Sequence, residues 1–245
     1  MGISVAQLPE LLAWLQRLGF DGVNVTHPCK QAIIPLLDET GQDAIDIHAV
    51  NTVVFQDGRA IGHNTDASGF IRALREHIQD AELGRIVLLG AGGAGSAIAH
   101  ALLSAGAQHL TVVDVNAARR IDLSRQLQAR FGADRVEESD DPSGALRGAS
   151  GLVHATPTGM KEHPGLPLPA RCVRPDLWVA DIVYFPIETE LIRLARSRGC
   201  QVMDGGGMAV YQAVAAFEYF TGRVADAQRM SRHFESMTLG SRQSD

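Results

Sequence analysis

The sequence is poor in sulfur and in aromatic rings. Its three cysteines, Cys29, Cys172 and Cys200, are scattered, form no C-x-x-C pair and leave an odd count. A disulfide framework and a zinc site are therefore not expected, and a reducing cytoplasm suits the chain. Positive charge is also lacking: 22 Lys and Arg stand against 28 Asp and Glu, a formal net charge of −6. No basic block or stripe is present, so neither a nucleic acid nor an anionic membrane is an expected partner. No apolar run reaches the roughly 18 residues that a membrane span needs. The opening residues, MGISVAQLPE, lack the basic start and apolar core of a secretory signal. What is present is ordinary for a globular protein. The 245 residues are 45% hydrophobic and 20% charged, enough for one large domain or two small ones.

Periodicity divides the chain at Gly84. Before it, Leu8, Leu11, Leu12, Leu15 and Leu18 keep helical spacing between Pro9 and Gly19. DGVNVT reads as a strand, and Pro28 opens a helix carrying Ile33, Ile34, Leu36 and Leu37. AVNTVVF and AIGH are two strands of a hairpin turned at Asp57-Gly58. A helix is expected from Asp66 to Ile78. After Gly84 the strands GRIVLLG, HLTVVDV, SGLVHAT, DLWVADIVY and CQVMDGG alternate with helices, the pattern of a parallel sheet with right-handed crossovers. The stretch 161–176 carries four prolines and is expected to be a surface loop. From Met208 to about Phe234 the chain is expected to be helical, with Ala213, Val214, Phe217 and Phe220 on one face. The fold class is α/β: a small α/β unit followed by a parallel-sheet unit and a helical end.

The turn GAGGAG (Gly90, Ala91, Gly92, Gly93, Ala94, Gly95) follows a strand and opens a helix. In that context G-x-G-x-x-G is a dinucleotide-binding signal. Gly90 permits the tight turn, Gly92 lets backbone approach a pyrophosphate, and Gly95 lets the helix pack close to the strand. The bland alternative is a glycine-rich loop that binds nothing. The next strand ends at Asp114, about 20 residues on, where a carboxylate accepts from both ribose hydroxyls of NAD and repels the 2′-phosphate of NADP. Its bland alternative is a helix N-cap. NAD is expected over NADP, although Arg119 and Arg120 are near enough in sequence to reach a phosphate.

Oxidation of an alcohol by a nicotinamide needs a group that takes the hydroxyl proton. Lys30 and Asp66 each follow a strand at the start of a helix, the edge at which α/β proteins bind ligands. A carboxylate beside a lysine stabilises its charged form and holds it in place. Spacing alone leaves open a solvated lysine and a capping aspartate.

The series NVTHPCK, AVNTVV, DGRAIGHNTD, GAGGAGSA, ATPTGM, DIVYFPIETEL and DGGGMAVYQAV resembles the shikimate dehydrogenase family, including its NAD-preferring quinate/shikimate branch. The resemblance implies a substrate domain over 1–66, a Rossmann dinucleotide domain over 67–207 and a C-terminal helical segment, 208–245, packing back on the first domain. It implies Lys30 and Asp66 as the catalytic pair. Thr26, Asn51 and Gln212 are implied to bind the hydroxyls of shikimate or quinate, with Tyr184 near the carboxylate. Thr156 and Gly207 are implied on the dinucleotide side, with Gly207 near the nicotinamide. No metal is implied, and a monomer or homodimer is expected.

The sequence departs from the family pattern in places. That pattern opens with a further strand and a loop of the type G-x-P-x-x-H-S-x-S-P, whose serine hydroxyls hold the substrate carboxylate. Nothing here matches it: either the sequence starts late or the protein is a shortened relative, and a shortened one is expected to bind substrate weakly, because each charge-assisted hydrogen bond is worth about 1.5–3 kcal/mol. A non-catalytic or impaired dinucleotide-binding relative is the alternative reading. His48 stands where the family usually has glycine, and His154 where asparagine is usual. Val115 stands where NADP-using members place an arginine, which again favours NAD.

Overall fold

The computed structural model describes residues 4–26 and 28–240. His27 of the NVTHPCK stretch and the two chain ends lie outside the described residues. The first unit opens with α1 (Leu8–Arg17), which has Pro9 and Glu10 in its first turn, Arg17 in its last, and Leu8 and Leu12 buried. These are the proline and charge preferences of helix ends. Then come β1 (Gly22–Asn24), α2 (Cys29–Ala32), β2 (Glu39–Thr40), α3 (Gln42–Ile47), β3 (Thr52–Gln56) and β4 (Arg59–His63). The sheet order is β1-β3-β4-β2, with β1–β3 and β3–β4 antiparallel and β2–β4 parallel. Asp57 (φ 51°) and Gly58 (φ 75°) make the hairpin turn, both at the positive φ that a type I′ turn requires.

α4 (Asp66–His77) leads into the second unit. Its elements are β5 (Arg85–Leu89), α5 (Gly93–Ser104), β6 (His109–Val113), α6 (Ala117–Phe131), β7 (Val136–Ser139), α7 (Pro142–Ala145), β8 (Gly151–His154), β9 (Trp178–Asp181), α8 (Glu190–Ser197) and β10 (Val202–Met203). The strand order is β10-β9-β8-β5-β6-β7, with parallel neighbours throughout. Apolar clusters cover both faces, one around Phe70, Ile98 and Leu102, the other around Leu146, Leu177 and Leu191. Strands buried on both sides explain the unbroken apolar runs. The chain reverses direction across the sheet between β5 and β8, and such a switch point opens a crevice at the strand ends.

The fold differs from the sequence reading at several places. β2, α3 and β7 were not expected. β7 is Val-Glu-Glu-Ser, with only Val136 buried, so it lacks an apolar run. The helical end expected from Met208 to about Phe234 is two helices. α9 (Gly205–Thr221) begins earlier, capped by Asp204, and stops at Gly222, whose left-handed φ of 64° ends it. α10 (Ala227–Gly240) follows. The buried face of α9 is Val210, Val214 and Ala216, while Phe217 is 40% exposed. α9 packs on α4 and returns to the first unit, where Tyr219 stacks on His63 with ring centroids 4.0 Å apart. The proline-rich stretch is irregular apart from one short turn, Ala170–Cys172, and it is pinned by buried Leu168 and Val173. Among the described residues, no helix is long and apolar enough to cross a membrane.

Candidate active site

A cleft of about 1130 Å³ lies where the two units face each other. The first unit contributes Thr26, Lys30, His48 and Asn51, α4 contributes Asp66, the glycine turn contributes Ala91 to Ala94, and α9 contributes Met208 and Gln212. The Lys30 stem reaches the turn itself: its Cδ is 3.7 Å from where a Cβ on Gly93 would stand.

The amine and the carboxylate meet at the floor. Lys30 Nζ donates to Asp66 Oδ2 at 2.6 Å, with side chains 17% and 2% exposed. The other oxygen, Asp66 Oδ1, accepts from Asn51 Nδ2 at 2.8 Å. The second hydrogen of that amide goes to Thr65 Oγ1 at 3.0 Å, and Asn51 Oδ1 accepts from the Thr65 backbone (2.9 Å) and the Thr52 hydroxyl (3.0 Å). Two donors and two lone pairs are all that a carboxamide has. Asn51, expected to read a substrate hydroxyl, is buried at 4% exposure with its capacity spent on its neighbours. It orients Asp66. Asp66 is the first residue of α4 and makes no capping bond of its own. A carboxylate fixed from both sides and an amine open to the cleft have the geometry to exchange a proton with a hydroxyl placed above them.

The glycine turn has the form a dinucleotide requires. Gly90 sits at φ 108°, and a Cβ there would stand 2.6 Å from the Ala155 carbonyl oxygen. At Gly95 a Cβ would overlap the Gly90 carbonyl oxygen, so α5 can pack this close only with glycine. The first residues of α5, Gly93 and Ala94, line the cleft, and the N–H groups of a helix start, which have no intrahelical partner, make a cradle for phosphate. Asp114 accepts from Ala91 N through Oδ2 and from Asn116 N through Oδ1, both at 2.7 Å. Two of its roughly four acceptor sites stay free for ribose hydroxyls. The helix cap that Asp114 might have been is Asn116, which accepts from Arg119 N at 3.1 Å. Arg120 is turned away: it pairs with Glu138 and donates to the Asp114 carbonyl at 3.0 Å. Arg119 lines the cleft.

Thr26, Gln212 and the half-exposed Tyr184 line the cleft. Thr156 lies beside Gly90, with its methyl toward the turn. Gly207, expected near the nicotinamide, faces α4 instead: a Cβ there would meet His77 and Ala73. Gly205, two residues nearer the strand and the first residue of α9, lines the cleft. Three glycines in a row hid which one lines the cleft. Sequence reasoning also missed Asn24, Met160, Ile182 and Met208 as lining residues. His48, a lining residue too, caps α3 at φ 55°, ψ 40°. That left-handed conformation explains why glycine is usual there.

These features define an α/β dinucleotide-dependent dehydrogenase with a lysine–aspartate pair. The model of the shikimate dehydrogenase substrate-binding domain matches residues 2–53, and that of the shikimate 5'-dehydrogenase C-terminal domain matches 205–232. Between them a ThiF family model matches 66–137, the stretch holding the glycine turn. A shikimate dehydrogenase (NADP(+)) of Streptomyces avermitilis is 53% identical over 232 residues, covering 94% of this chain and 80% of the relative. A quinate/shikimate dehydrogenase (NAD(+)) of Corynebacterium efficiens is 45% identical over 233 residues, covering 94% and 82%. Among solved structures, quinate dehydrogenase from Corynebacterium glutamicum in complex with NAD superposes with a TM-score of 0.89 at 44% identity, covering 94% and 82%. The chain belongs to the shikimate dehydrogenase family.

Proposed function

We propose that this protein oxidises a ring hydroxyl of shikimate or quinate to the ketone, reversibly, with NAD as the preferred partner. The observation that carries this reading is the Lys30–Asp66 contact of 2.6 Å on a cleft wall that ends in the glycine turn. When bound, the dinucleotide supplies the hydride acceptor. Lys30 takes the hydroxyl proton as the carbonyl forms, and returns it in the reverse direction. Asp66 holds the amine, and Asn51 holds Asp66. Thr26 and Gln212 carry unsaturated polar groups into the cleft and read the remaining hydroxyls, and Tyr184 lies toward the carboxylate. The units divide near Asp66 and again at the start of α9, giving a substrate domain, a dinucleotide domain and a returning helical segment.

NAD is preferred because the Asp114 carboxylate meets the ribose edge, Val115 offers no charge, and Arg120 is held by Glu138. Relatives are named with either cofactor, so the preference rests on these side chains. The test is absorbance of the reduced nicotinamide with shikimate and quinate, each with NAD and NADP. Faster turnover with NAD is expected. Equal or faster turnover with NADP overturns the cofactor assignment. NAD binding by calorimetry with no turnover of either acid would favour the impaired relative instead.

A further inference from the structure

The ends of β8 and β9 hold a buried polar chain that proton and hydride transfer do not use. His154 and Asp181 face each other in the parallel register, both 0% exposed. His154 Nδ1 is 2.9 Å from Asp181 Oδ1, and Nε2 is 2.5 Å from Thr156 Oγ1. A carboxylate only accepts, so the proton of the neutral imidazole is assigned to Nδ1, and Nε2 then accepts the Thr156 hydroxyl. Thr156 Oγ1 accepts in turn from Thr158 N at 3.3 Å. Asp181 also accepts from Val183 N at 3.0 Å and from the Thr189 hydroxyl at 2.6 Å. Thr189 Oγ1 accepts from Ile192 N at 3.2 Å and so caps α8. Every donor in this chain has its acceptor, which makes a buried network stiff and specific.

The two ends of the chain lie on the cleft. On one side it fixes the loop after β8: Thr156 abuts Gly90, and Met160 lines the cleft. On the other it fixes the loop after β9: Ile182 and Tyr184 line the cleft, and the Ile182 and Val183 carbonyls press on Gly205 at the start of α9. The imidazole joins the two loops by hydrogen bonds, to Thr156 on one side and to Asp181 on the other. An asparagine, usual here in the family pattern, ends at about the depth of Nδ1. It keeps a bond to Asp181 and loses the reach to Thr156.

We infer that His154 is a positioning residue for the dinucleotide: acting through Thr156, it locks the β8 loop against the glycine turn. The inference rests on the dinucleotide reading of the cleft, not on which acid is oxidised. The test is a cycle of His154→Asn, Thr156→Val and the double variant in the full chain. It is read as NAD affinity by calorimetry, KM for NAD, KM for the acid, and thermal midpoint. His154→Asn should weaken NAD roughly fivefold to tenfold, the size of one lost hydrogen bond. The acid's KM should stay within about twofold, and the double variant should be no worse than the worse single one. A lowered midpoint with unchanged NAD affinity would reduce His154 to a structural role and overturn the inference. Additive losses in the double variant would overturn the route through Thr156. Because binding needs no turnover, the calorimetric arm reads the inference even if neither acid reacts; an unvaried protein that fails to bind NAD overturns the dinucleotide reading itself.

Discussion

Arg130 of α6 and Asp46 of α3, 84 positions apart, form a two-point ion pair of 2.5 and 2.6 Å that bridges the two units. Gln42 donates to the same carboxylate at 2.7 Å, and His100 Nε2 lies 3.9 Å from it. Burial pushes the Asp46 carboxyl up, but the hydrogen bonds from Arg130 and Gln42 outweigh it and hold the group below its ordinary value of 3.8. His100 is also held low: burial, then the nearby Arg130, keep its imidazole below the ordinary 6.5, against the opposing pull of Asp46.

A pH dependence of stability results. Below about 6.5 the unfolded chain protonates His100 while the folded chain resists, so the unfolded state binds more protons and stability falls as pH falls. The Asp46 contribution has the same sign but is lost only in acid, as pH drops below 3.8 and through the depressed folded value. Thermal melts from about pH 7 to 5 should show a declining midpoint that flattens in His100→Asn. An unchanged slope in that variant would remove His100 as the source.

Lys30→Ala should lower kcat by about 10²–10⁴-fold, the usual worth of a positioned acid or base. NAD affinity should hold within a few-fold, since the amine meets the glycine turn only through its stem. Near-normal turnover in the variant would end the proton-transfer role given to Lys30.

Asn51 and Gln212 should fail in different ways. Asn51→Leu strands the Asp66 and Thr65 groups and should cost about 1–3 kcal/mol of stability along with kcat. Gln212→Ala should raise the acid's KM and leave the melting midpoint nearly unchanged. If Asn51→Leu raised KM alone, the amide would be a substrate contact after all.

Cofactor choice should shift when Arg120 is released. Glu138→Gln frees the guanidinium, and Asp114→Asn removes the charge facing a 2′-phosphate. Together they should raise the NADP-to-NAD efficiency ratio at least about tenfold, in line with one charge-assisted bond. Steady-state kinetics with both dinucleotides measure it, and an unmoved ratio would place the selection elsewhere.

The parallel sheet was legible because its strands are apolar on both faces, and the glycine turn because strand, turn and helix are contiguous. The hairpin was legible because Asp57-Gly58 states its own geometry. β7 was hidden because an edge strand with two glutamates carries no apolar period. The place where the helical C-terminus breaks was hidden because Gly222, a tolerable residue within a helix, acts here as a left-handed stop. Lys30 and Asp66 were legible as a pair only through the resemblance, since spacing alone does not bring together residues 36 positions apart. The spent valences of Asn51 were beyond any sequence pattern, because they depend on Thr52 and Thr65 turning inward. His154 stood out only as a departure, and its partner Asp181 lies 27 residues away.

The saturated amide of Asn51 separates what can drift from what cannot. Asn51, Thr52, Thr65 and Asp66 satisfy one another, so replacing any one of them strands the rest, and the group changes together or not at all. Gln212 and Thr26 answer to no such circle. A change of the walls alone therefore alters which polyhydroxylated ring fits the cleft. The floor beneath it stays as it is.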